Sequence, residues 1–78
     1  MDIPDNLIML ERSAEEARAK LAGLDGEERH AQWRTWRTAA EQIQAAITAH
    51  AAATGESRYE VEQAVKKAVR HAGEDPAG

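Results

Sequence analysis

Apolar residues along this chain are spaced alternately by three and four: Ile3, Leu7, Leu10, Ala14, Ala17, Leu21, Leu24, then Trp33, Trp36, Ala40, Ile43, Ile47. A repeat of about 3.5 residues keeps one narrow stripe of a helix facing a neighbouring helix, as in coiled coils and small bundles. A third, weaker run follows in Val61, Val65, Ala68 and Ala72, flanked by Ala64 and Val69. Five of these (Val61, Ala64, Val65, Ala68, Ala72) form a stripe that calls for burial. No stretch alternates β-branched with polar residues, so strands are not expected.

The breaks between these runs predict three helices. Asp2, with Pro4 just inside the first turn, is placed to start a helix over about 3–22, which Gly23 would stop. Asp25 with Glu28 has the spacing of a reciprocal capping box and opens a long second helix, about 26–53, running to Thr54-Gly55. Ser57 with Glu60 repeats that spacing and opens the third, about 58–72, before Gly73. The last residues, 74–78, have nothing to pack and are expected to fray. The expected fold is therefore all-α: one domain over 1–73, with a long antiparallel, coiled-coil-like hairpin completed by a shorter third helix as a three-helix bundle.

The short connector Gly23-Leu24-Asp25 makes the first two helices antiparallel neighbours. Folding the stripe back on itself sets Leu21 against Trp33, Ala17 against Trp36, Ala14 against Ala40, Leu10 against Ile43 and Leu7 against Ile47. Bulk then meets space at every rung, and both tryptophans fill the core. Arg34 and Arg37 should flank them and pair with Glu11, Glu15 or Glu16. Ile8, Met9 and Tyr59 fall off the main stripes. The third helix can close onto the hairpin or reach to a second chain, and these loose apolar residues point to a homodimer.

Composition narrows the class. Of 78 residues, seventeen are alanine and only sixteen are larger apolar side chains, with no phenylalanine and no cysteine. A core so rich in alanine removes little area from water, at roughly 25 cal/mol per Å². Disulfides and thiolate metal sites are excluded, leaving tight helix packing and self-association as sources of stability. The absence of cysteine fits a reducing cytoplasm. No apolar run approaches the roughly 20 residues of a membrane span, and the start is acidic rather than basic.

The net charge of −4 is unevenly spread. Residues 1–28 carry eight acids against three bases, 29–54 carry Arg29, Arg34 and Arg37 against Glu41, and 55–78 carry five acids against four bases. Overall acidity disfavours sequence-blind binding to phosphates, though a local basic face remains open.

Candidate chemistry is sparse. His30, His50 and His71 share no helical face, and Glu27-Glu28-Arg29-His30 holds a single Glu-x-x-His where a di-iron bundle needs two. His50 extends the stripe opposite Ile3 as an end-cap of the core. Ser57 is accounted for as a cap, and the glycines are single rather than phosphate-binding clusters. No catalytic residue, metal ligand or cofactor is assigned, and an enzyme is not expected. The tandem Trp33-Arg34-Thr35-Trp36-Arg37-Thr38 could offer a stacking surface for single strands, but core packing of its indoles is the simpler reading.

Residues 47–66 resemble a helix-turn-helix: a small residue at Ala51, a turn glycine at Gly55 and a valine at Val61. The resemblance implies that Arg58, Tyr59, Gln63, Lys66 and Lys67, with Arg70 beyond them, face DNA as a recognition helix. Glu56, Glu60 and Glu62 place negative charge on the same segment, and the preceding helix is much longer than in that motif. The leading expectation is a non-enzymatic helical interaction module that self-associates through its stripe. The competing one is a small DNA-binding regulator, of the kind a phage or mobile element would carry.

Overall fold

A computed structural model describes residues 2–73, with side chains to Arg70; the expectations for the tail 74–78, for His71 and for burial of Ala72 lie outside them. Three helices, α1 (Asp5–Ala19), α2 (Gly26–Thr54) and α3 (Arg58–Gly73), form the all-α arrangement, with each helix packed on the other two. Among the described residues there is no strand, and no helix is long and apolar enough to cross a membrane.

Helix α1 starts later than Asp2. Pro4 holds φ −59 and ψ 144 and serves as the N-cap, with no side-chain cap bond. A residue before proline is pushed out of the helical region, so Ile3 cannot be in the first turn. The Pro4 carbonyl instead accepts from the amides of Leu7 (3.1 Å) and Ile8 (3.4 Å). The far end tightens early: Leu21 N–H donates to Arg18 and Ala22 N–H to Ala19, three residues back, before Gly23 turns the chain at φ +82.

Helix α2 then returns along α1. Its first turns stitch the hairpin, as Gln32 donates to the Ala17 carbonyl (2.8 Å) and Arg29 to that of Leu21 (3.2 Å). The Ala17 carbonyl lies in the last turn of α1, where no intrahelical N–H is left to satisfy it, whereas that of Leu21 also accepts from the Leu24 amide at 3.2 Å; a cation at this end suits the helix dipole. Asp25 is the N-cap residue in extended conformation but makes no side-chain cap bond, so its expected box with Glu28 does not form. Gly55 ends α2 at φ +75, its N–H donating to Ala51 at 2.9 Å. Across the turn Ser57 Oγ accepts from the Glu60 amide at 3.4 Å, which is one half of the predicted box.

The core sits at one end. Leu7, Ala14, Ile43, Ile47, Ala51, Val61 and Val65 form one buried cluster, with Ile3, Leu10, Ala39 and Ala46 packed against it. Helix α3 thus closes onto its own hairpin. It does so through Val61, Val65 and Val69, with Ala64 and Ala68 only half-buried, so its buried stripe is rotated toward Val69.

Candidate functional site

Only part of the expected assembly stripe is core. Leu7, Ala14, Ala17, Ile43 and Ile47 are buried, whereas Leu10, Leu21, Trp36 and Ala40 are half-buried and Trp33 is 39% exposed. The indoles do not fill the interior as their place in the repeat implied. The reason is the floor beneath them. Ala14, Ala17 and Ala40 leave little depth between α1 and α2, and α3 does not extend over this end to supply a third wall. Trp33 therefore stands exposed while Trp36 is half-buried along the trench between α1 and α2, the two rings edge to face with centroids 6.5 Å apart. The Arg37 guanidinium sits 5.5 Å above the Trp33 ring, a cation–π placement.

The arginines also differ from expectation. Arg37 pairs with Glu41 of its own helix at 3.3 Å rather than with α1, and Arg34 joins no ion pair among the described residues. The acid of α1 that does find a partner is Glu11, 5% exposed, whose Oε1 lies 3.6 Å from Lys66 Nζ of α3. Glu11 is the residue the repeat missed. Burial falls on Leu7, Glu11 and Ala14 rather than on Leu10, because α3 approaches that side of α1.

Where α3 leaves the hairpin, an open trench of about 210 Å³ continues between α1 and α2. Ala14 and Ala40 line its floor, Glu15 and Arg18 stand on the α1 side, Trp36 on the α2 side, and Lys66 closes one end. That volume falls below the roughly 300 Å³ at which small-molecule pockets begin. A larger depression beside Gly26, His30 and Arg34 is lined by the flank of α2 alone.

On α3, the six residues of the predicted partner or DNA face separate into two groups. Arg58 is engaged inward, bonded through Nε to Thr48 Oγ1 (3.0 Å), also to Gln44 Oε1, and paired with Glu62 at 3.3 Å. Tyr59 is 70% exposed, and Gln63, Lys67 and Arg70 are exposed about one, two and three turns on, with Lys66 beside them. Of the residues on which the helix-turn-helix resemblance rests, Ala51 and Val61 are buried and Gly55 is left-handed.

His50 is half-buried at the α2–α3 end, its Nε2 lying 3.7 Å from Glu56 Oε1 with no hydrogen bond. Among the described residues no group of three or more His, Asp or Glu side chains is placed to hold a metal ion, and the single Glu27–His30 pair gains no companions.

No protein-family model, curated protein or solved structure matches this chain.

Proposed function

We propose that this protein is a small, non-enzymatic helical interaction and assembly module that acts in the cytoplasm and associates with other copies of itself. The observation that carries the reading is the bare end of the hairpin, where Trp33 stands 39% exposed beside the half-buried Trp36. Tryptophan is the residue type most enriched among binding hot spots, and an apolar ring held on a rigid helix loses little freedom when a partner covers it. Sedimentation velocity over a range of concentrations tests this. A mass above the monomer that does not change on adding duplex DNA is the expected result. A strictly monomeric chain that shifts only with DNA refutes it.

A second reading, DNA binding by α3, is favoured by one observation. Tyr59, Gln63, Lys67 and Arg70 form an outward stripe of an aromatic, an amide and two cations on the helix after the Gly55 turn. Retention on a DNA column that falls with added salt and is lost in Lys67→Glu with Arg70→Glu would support it.

A further inference from the structure

Helix α3 has two opposite faces. Val61, Val65 and Val69 recur every fourth residue and are buried against the hairpin. Across the helix from them, Tyr59, Gln63, Lys66, Lys67 and Arg70 are exposed. The last four stand at i, i+3, i+4 and i+7 and line one open depression along the helix surface.

This ridge gathers positive charge in a chain whose net charge is −4. Lys67 and Arg70, and Lys66 and Arg70, are like-charged neighbours three and four residues apart, a spacing that costs a helix stability. Lys66 is partly offset from α1, where Glu11 Oε1 lies 3.6 Å from its Nζ and Glu15 and Arg18 share the trench with it. Lys67 and Arg70 join no ion pair among the described residues. Arg58, at the other end of the helix, is occupied by Thr48, Gln44 and Glu62.

We propose that a short acidic segment of a partner protein docks along this face, its carboxylates on Lys67, Arg70 and the solvent side of Lys66. This extends the interaction-module reading to a second surface, independent of self-association, and competes with DNA for the same residues.

The length of the face selects the kind of anion. From Tyr59 to Arg70 it rises about 16 Å. Acids stand on both sides of the ridge in the sequence, Glu56, Glu60 and Glu62 before it and Glu74 and Asp75 after it. Duplex DNA carries a charge about every 1.7 Å and continues well past the face, so it would meet those acids and the field of a net-negative chain. A segment of about five extended residues spans the face and stops within it. Tyr59 and Glu60 fix the direction. The Tyr59 ring is 70% exposed at the end that lacks a free cation, and the exposed Glu60 beside it repels carboxylates. The acidic end of the segment therefore lies toward Arg70, and an apolar end lies on the Tyr59 ring and the neighbouring lysine stems.

Fluorescence anisotropy on the full chain tests this. The probes are a labelled oligoglutamate of about six residues ending in a leucine, and a duplex of about 20 base pairs. The peptide should bind, more weakly as salt rises. Lys67→Glu with Arg70→Glu should weaken it by about tenfold or more, and Lys67→Gln with Arg70→Gln by about fivefold. Helicity by circular dichroism should hold in the glutamine variant, since both side chains are exposed. Backbone amide shifts on adding peptide should move along residues 59–70. A peptide that does not bind at millimolar concentration overturns the proposal, as does binding that the glutamine variant leaves unchanged. Duplex DNA held more tightly than the peptide, and released by the same variant, overturns it in favour of the nucleic-acid reading.

Discussion

Glu11 and Lys66 form a pair whose two ends should respond oppositely to removal. Glu11 is 5% exposed, its side chain among the buried residues of α1, while the Lys66 side chain remains 44% exposed. At 3.6 Å the attraction between unit charges is about 4–5 kcal/mol with an effective dielectric constant near 20. Taking a carboxylate out of water costs several kcal/mol, so the pair adds little net stability. Glu11→Leu removes that desolvation cost and adds roughly 1.5–3 kcal/mol of apolar burial, while Lys66 can turn its ammonium to solvent. The expected outcome is a gain of about 1–3 kcal/mol, or a melting temperature higher by about 4–24 °C for a domain of this size. Lys66→Met keeps the packing of the stem but leaves Glu11 buried without its cation. It should cost about 2–3 kcal/mol, discounted from the usual 3–5 for a broken buried pair because the lysine is partly solvated. Thermal and urea denaturation followed at 222 nm measure both, at one low protein concentration so that association does not enter. A Glu11→Leu variant less stable than the wild type, or a Lys66→Met variant unchanged, would refute the reasoning.

Two further outcomes follow from the packing. Ile47 is fully buried where the three helices meet, so Ile47→Ala should cost about 3–4 kcal/mol, close to the whole stability of a weak domain, and leave a largely unfolded chain by circular dichroism. Gly55 ends α2 at φ +75 with open space where a Cβ would stand, so Gly55→Ala meets no clash and loses only the left-handed preference. About 1–2 kcal/mol is expected, read as a lower urea midpoint with an unchanged slope.

The helical class and the three-element order were legible because both depend on local signals. The three-four spacing marks helices, and Gly23, Gly55 and Ser57 punctuate them through backbone freedom and a capping oxygen. Asp2 and Asp25 were legible only as candidate caps. Pro4 displaced the first, and the second takes the N-cap position without turning its side chain to the amides. Burial along the stripe was less legible, since spacing shows which way a residue faces but not how many helices cover it there. Trp33 and Leu7 occupy equivalent places in the repeat, yet Leu7 lies under α3 and Trp33 lies past its reach. Glu11 was hidden for the same reason. Nothing near it in the sequence announces Lys66, and an acid beside an apolar stripe ordinarily reads as a solvated flank.

This uneven cover bears directly on how the chain could work. The exposed half of α2 is helical without a third helix against it, so its order depends on intrinsic preference and on α1 alone. Its composition supplies that preference: Ala31, Gln32, Arg34, Arg37, Ala39, Ala40 and Glu41 are strong helix formers, and the Arg37–Glu41 pair spans one turn of the same face. Gln32 and Arg29 tie this half to the end of α1 through the carbonyls of Ala17 and Leu21. The indoles of Trp33 and Trp36 are consequently presented on a backbone already fixed. A partner that covers them would not have to order the helix first, which removes the largest entropic cost of joining two helical surfaces. The same alanines that make a thin core at this end also keep it shallow enough for another helix to approach closely. Weak packing within the single chain and the preformed surface that the proposed assembly would use are thus two consequences of one feature, a second helix longer than the third can cover.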